Sequence, residues 1–312
     1  MRQGNTLEDH PPAVAGPTVT TLAVAAVQAL RPKQWTKNGL LFAALVFSMH
    51  FRDLGTWGRT SLGFAAFCLI SSAGYILNDA RDAEADRRHP FKRFRPIASG
   101  RLPVGLAYAE MVVIFLVGCA ISLHLSPWFL LVALLYFATT ISYSIVFKHI
   151  VILDVMFLSA GFLWRAAAGA VAIDVGISAW LLMCTAFLAL FLGFNKRRGE
   201  LSLMAEDAVS TRRNLREYTP DLVTEIQAIT TSGTIISYAL YTVLASPTPW
   251  LLLTLPHVLY GVFRYIYLVT VRSEGSAPDE ILLRDRPILV TCVLYAVTVV
   301  VILMVAPLNK VA

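Results

Sequence analysis

Three oxygen-bearing side chains at a constant spacing are the part of this sequence best suited to chemistry. Asn78, Asp82 and Asp86 stand four residues apart in the run Asn78-Asp79-Ala80-Arg81-Asp82-Ala83-Glu84-Ala85-Asp86. In a helix each step of four turns about 400°, so the three share one stripe, while Asp79 and Glu84 fall off it. Mg²⁺ takes hard oxygen ligands, keeps several waters and commonly joins one or two carboxylates to substrate phosphates. The stripe is therefore read as a Mg²⁺ site for a diphosphate, with Asn78, Asp82 and Asp86 as ligands and Asp82 and Asp86 as catalytic groups. The competing reading is a solvated helix exit whose acids pair with Arg81 and Arg87. The basic stretch that follows, through Arg95 and Pro96 to Arg101, favours the site, because such a loop closes over an anion.

Cations recur where the chain would approach a bound diphosphate. In Arg31-Pro32-Lys33-Gln34-Trp35-Thr36-Lys37-Asn38, the residues Lys33, Lys37 and Asn38 share a helical face and are read as phosphate-binding. An interfacial anchor with Trp35 among the headgroups explains the same segment equally well. Tyr143 and Lys148 precede an apolar segment that contains Asp154 and, three turns deeper, Arg165. An ionisable group at such a depth is costly, and marks either an ion pair or a polar cavity. Arg165 is assigned to catalysis on that ground, and Tyr143 and Lys148 to substrate binding. Asn195-Lys196-Arg197-Arg198-Gly199-Glu200 supplies three consecutive cations. Lys196 and Arg197 would neutralise phosphate charge, Arg197 with bidentate geometry, and Glu200 is counted with them.

Membrane helices must position these residues. Of 312 residues 57% are hydrophobic and 15% charged, with mean hydropathy +0.65, whereas soluble domains carry about a quarter charged residues. Uncharged runs such as Pro287 to Pro307 are long enough to cross a bilayer of roughly 30 Å. The sequence predicts an all-α polytopic protein with nine spans, near 36–51, 60–78, 103–123, 127–143, 150–172, 177–195, 226–245, 249–270 and 287–306. Loops 31–37, 79–101, 144–149, 196–225 and 271–286 are rich in Lys and Arg, while the opposite loops hold only Arg52 and Arg59. The positive-inside rule then places the N-terminus and the chemical residues in the cytoplasm, an arrangement that requires an odd number of spans. Residues 1–19 are polar and proline-bearing and read as a disordered tail rather than a signal peptide. The net charge of +6 belongs to these loops, which excludes nucleic acid as the natural partner. The four cysteines stand singly in apolar segments and point to neither metal nor redox chemistry.

With N-x-x-x-D-x-x-x-D at the end of the second of nine spans, the chain resembles the UbiA superfamily of intramembrane transferases. Four stretches, RPKQWTKN at 31–38, NDARDAEADRRHP at 78–90, RPIASGRL at 95–102 and NKRRGE at 195–200, are similar to its phosphoribosyltransferase branch. Typical members carry a second acidic motif after the sixth span, where this chain is basic. The resemblance implies one transmembrane domain over 20–312, with cytoplasmic loops 79–101 and 196–225 around a cavity open to the cytoplasm. It implies Mg²⁺-dependent transfer of 5-phosphoribose from phosphoribosyl pyrophosphate to decaprenyl (polyprenyl) phosphate, for cell-wall arabinan, at the plasma membrane. The alternatives are a prenyltransferase acting on an aromatic acceptor and, more remotely, an anionic-solute transporter. The latter class shows repeated, interrupted halves, and none is found here.

Overall fold

A computed structural model describes residues 19–206, 215, 217–272, 281 and 284–307. The expected tail lies almost wholly outside them, as do residues 207–214 and 216 of loop 196–225. The described residues form helices and connecting turns, with no strand among them. In chain order these are α1 (Val19–Ala29), a 3-10 segment (Pro32–Leu40), α2 (Leu41–Phe47), α3 (Leu54–Arg81), α4 (Ala83–Arg88), α5 (Val104–Leu125), α6 (Pro127–Ile145), α7 (Leu153–Ala172), α8 (Ala179–Glu206), α9 (Pro220–Leu244), a second 3-10 segment (Pro249–Thr254), α10 (Leu255–Val271) and α11 (Arg286–Val305).

Polar caps and prolines start the long helices. Asp53 accepts from Gly55 N at 2.8 Å, Ser126 from Phe129 N at 3.0 Å, Thr219 from Leu222 N at 3.2 Å and Asp285 from Ile288 N at 3.0 Å. Pro127, Pro220 and Pro287 sit at the first helical positions, where their missing N–H costs nothing.

Among the described residues, seven helices are long and apolar enough to cross a membrane: α3, α5, α6, α7, α8, the second 3-10 segment with α10, and α11. The other two expected spans take different forms. The first is broken into the 3-10 segment and the short α2. The seventh is α9, a 25-residue helix whose buried face is polar, with Gln227, Thr230, Thr234, Ser237 and Thr242. A further difference concerns 196–206. The sequence places these residues in a loop, yet they continue α8 for nearly three turns, so Lys196 to Glu200 are fixed on a helix.

α3 and α7 form the centre of the bundle, with 61% and 56% of their spans buried, whereas α5 and α11 bury only 11% and 17% and lie at its periphery. The small residues of α7 let the broken first span approach. A Cβ at Gly169 would overlap the Leu41 carbonyl, and Leu41 and Leu45 pack with Phe67, Phe129, Ala168 and Ala172 in one core cluster. Polar contacts stitch the same span to α3. Trp35 Nε1 donates to Ser72 Oγ at 3.1 Å, and Ser72 Oγ donates to the Leu30 carbonyl at 2.8 Å.

Candidate active site

The acidic stripe survives a break in its helix. α3 stops at Arg81 and α4 starts at Ala83, with Asp82 at the joint. Asp82 N still donates to the Asn78 carbonyl at 2.9 Å, and Asp86 N to the Asp82 carbonyl at 2.8 Å. Asn78, Asp82 and Asp86 therefore remain on successive turns. Their surroundings differ. The Asp82 carboxylate is 35% exposed and lies 3.2 Å from Lys148 Nζ, on the turn Phe147–His149 before α7. Asp86 is 6% exposed and accepts from Arg95 at 2.6 Å.

Asp79, which helical geometry sets off the stripe, is the anchor of this region. It is buried, receives Arg31 at 2.6 Å and shares Arg95, at 2.9 Å, with Asp86. The chain Arg31–Asp79–Arg95–Asp86 thus alternates charge and ties the entry segment and the 89–101 loop to the end of α3. Sequence reasoning missed it because the pairing joins residues 48 and 16 apart. Arg31 and Arg95 did stand inside the quoted motifs, which was the available signal. Arg31 also adopts φ 53° and stacks over the Tyr75 ring at 5.3 Å. Glu84 behaves as a solvated helix exit, pairing with Arg87 at 2.7 Å on the exposed side.

The donor set suits a hard cation: two carboxylates and an amide oxygen on successive turns, with Asp82 accessible. Among the described residues no three His, Cys, Asp or Glu side chains are grouped to hold a metal by themselves. Such a set leaves room for water and for ligand oxygens. Asn78 also lines a cleft between α3 and α6, with Gly74, Leu77, Thr140, Ile141 and Ser144.

Two expected contact residues are placed otherwise. Asn38 and Arg165 are buried and saturated by each other and their neighbours. Arg165 Nε donates to Asn38 Oδ1 at 2.7 Å, Nη1 to the Gly161 carbonyl at 2.9 Å and Nη2 to Tyr136 Oη at 2.9 Å. Its guanidinium also lies over the Tyr136 and Phe162 rings, at 4.7 and 5.5 Å. Arg165 stands about 18 Å along α7 from Leu153, in a knot joining the first span, α6 and α7. Its catalytic assignment is corrected to a structural one, because no face of the guanidinium is open to a ligand. Lys33 is exposed and Lys37 half-buried on the entry segment, and Tyr143 is half-buried near the end of α6.

Arg197 requires a similar correction. It is 1% exposed, with Nε 2.8 Å from Asp154 Oδ2 and Nη1 bonded to Glu200. Its charge, expected to meet phosphate, is committed to two acids. Nη2 has no acceptor among the described residues. Asp154 is fully buried and accepts from Tyr218 Oη at 2.6 Å. Burial first, and the Asp154 contact second, hold the Tyr218 phenol above its usual range, so it stays a proton donor. Lys196, on the same turn of α8, is half-buried.

Comparison with known proteins places these features in a class. The model of the UbiA prenyltransferase family matches residues 39–284, and the chain belongs to that family of multi-pass membrane proteins. Decaprenyl-phosphate phosphoribosyltransferase of Corynebacterium glutamicum is 34% identical over 301 residues, spanning 92% of this chain and 89% of its own length. The enzyme of that name from Mycobacterium tuberculosis is 32% identical over 284 residues, 89% of this chain and 94% of its own. A UbiA homologue from Archaeoglobus fulgidus, solved with GPP and Mg²⁺, superposes with a TM-score of 0.69 over 90% of this chain and all of its own, at 18% identity, which establishes a common fold.

Proposed function

We propose that this protein is a Mg²⁺-dependent phosphoribosyltransferase that moves 5-phosphoribose from phosphoribosyl pyrophosphate to decaprenyl (polyprenyl) phosphate, a step towards cell-wall arabinan. The observation that carries the reading is likeness at 32–34% identity, over 89–92% of this chain, to enzymes of that activity. The charge pattern supports it: Lys148 of the 147–149 turn lies 3.2 Å from Asp82 and Arg95 2.6 Å from Asp86, and the sequence at 195–198 is basic where a second acidic pair would stand.

Asn78, Asp82 and Asp86 would hold Mg²⁺, which supplies charge neutralisation for a departing diphosphate. Lys148, now paired with Asp82, moves onto the donor's phosphates when the carboxylate is engaged. Lys196 neutralises phosphate charge on the donor, Lys33 and Lys37 line the approach of the two anionic substrates, and Tyr143 stands beside them. An acceptor phosphate oxygen attacks ribosyl C1 as the C1–O bond to pyrophosphate breaks, giving polyprenylphosphoryl 5-phosphoribose with inversion. The acceptor is already an anion, so positioning does the work that a general base does elsewhere. The lipid tail lies towards the bilayer. The basic loops set the site on the cytoplasmic side of the plasma membrane, with residues 1–19 as a cytoplasmic tail ahead of one domain over 20–312.

Purified protein given ribose-labelled phosphoribosyl pyrophosphate and decaprenyl phosphate is expected to carry label into the lipid phase. Label that stays in water, with a prenyl diphosphate consumed instead, rejects the assignment. Asp82→Asn should lower Mg²⁺-dependent transfer by at least about 10³-fold and leave the thermal transition in detergent unchanged. Retained turnover removes Asp82 from the metal site.

A further inference from the structure

Four groups meet beneath the turn that carries Lys148. Ile152 has φ 69°, a conformation β-branched residues rarely adopt, and it persists only where neighbours over-determine it. Its N–H donates to Tyr218 Oη at 2.8 Å. The same hydroxyl donates to Asp154 Oδ1 at 2.6 Å, and the other Asp154 oxygen faces Arg197 Nε at 2.8 Å. Tyr218 is 3% exposed and packs with Leu215 against Val155, Phe194 and Val223. A single hydroxyl, used as acceptor and donor together, therefore ties the approach to α9 to the start of α7 and, through Asp154, to Arg197 in the second half of α8. Each tied element carries a cation of the site. Lys148 stands four residues before Ile152 and reaches Asp82, and Lys196 adjoins Arg197 in sequence.

We propose that Tyr218 is a positioning residue for phosphoribosyl transfer, holding the Ile152 turn and the Asp154–Arg197 pair so that Lys148 and Lys196 stand against the donor's phosphates. This rests on the functional reading above, and Tyr218 itself touches no substrate. A phenylalanine would fill the same space and keep the packing of the ring. It would take the acceptor from Ile152 N–H and one donor from Asp154, and a buried group that loses its partner shifts its neighbours to regain one. The loss falls on donor binding, because both cations serve the donor and neither is needed to hold the lipid tail.

The test is Tyr218→Phe, assayed with labelled phosphoribosyl pyrophosphate and decaprenyl phosphate. The expected result is a donor KM raised about tenfold, with kcat and acceptor KM within about twofold of wild type and the thermal transition retained. An unchanged donor KM, or a fall in kcat alone, overturns the positioning role while the function stands. Absence of transfer by the wild-type protein overturns the function instead. If the variant does not survive purification, amide exchange on the wild-type protein decides. Saturating donor with Mg²⁺ is expected to slow exchange at Ile152 and Tyr218 together, and protection at neither or at only one of them overturns the inference.

Discussion

Two arginines are buried among the described residues, and they are accommodated in opposite ways. Arg197, near the membrane surface on α8, is enclosed by two carboxylates, Asp154 and Glu200. Arg165, far deeper on α7, has no carboxylate partner among the described residues and is held by an amide oxygen, a backbone carbonyl, a phenol and two aromatic faces. Desolvating a cation is expensive in both places. Near the surface the cost is met by opposite charge, which leaves a residual dependence on both acids. At depth it is met by preorganised dipoles and π-faces, which tie three elements together without adding further buried charges. The lesson is that a basic residue in an apolar segment need not be a ligand site. Which kind it is depends on the side chains that other elements bring to it.

The largest effect should come from breaking the charged knot on one side. Asp154→Ala leaves Arg197 buried with only Glu200, and should cost about 3–5 kcal/mol of stability, seen as a lowered thermal transition in detergent. Adding Arg197→Met should recover most of that loss, since the unpaired charge is gone. Failure to recover would mean that Asp154 serves mainly Tyr218 and the Ile152 turn. Arg165→Met is expected to cost less, about 1–3 kcal/mol, from leaving Asn38 Oδ1 and Tyr136 Oη without a donor. A loss exceeding that of Asp154→Ala would reverse the comparison and make the dipolar knot the stronger of the two.

The smallest effect belongs to the solvated turn outside the bundle, where charge is cheap. His89 Nδ1 accepts from Phe91 N at 3.2 Å and Lys92 N at 3.3 Å, which requires the neutral ring. Partial burial first, and the Lys92 charge second, hold its pKa below the ordinary value of 6.5. Its contribution is thus fully present above that value and is lost as pH falls through the lower, folded one. Proteolytic nicking at Lys92 should rise as the pH is lowered from about 6.5 to 5. His89→Asn, which keeps an acceptor at all pH values, should nick at a constant rate. A parallel rise in both proteins would remove His89 as the cause.

Much of the site was legible from local spacing. Asn78, Asp82 and Asp86 are separated by single helical turns, and a backbone hydrogen bond carries that spacing even across the break at Asp82. Lys148 meets Asp82 from a position 66 residues away, which no local spacing signals. Arg165 and Arg197 were misjudged because periodicity gives the depth of a residue and says nothing of its partners. The partners of Arg165 come from positions 127 and 29 residues away, apart from the carbonyl of its own helix. Tyr218 carried no signal, since a tyrosine before a helix is unremarkable until the turn it holds is seen.

The sequence by itself determined the solvent of this protein, its helical class and the acidic stripe, because hydropathy and helical period are local properties of the chain. Tertiary structure decided how each charge is partnered. It buried Asp79, Asp86 and Arg197 in ion pairs, closed Arg165 within neutral groups, and left Asp82 accessible beside Lys148. Burial and pairing depend on elements far apart in the chain meeting in space, which neither hydropathy nor helical period reports.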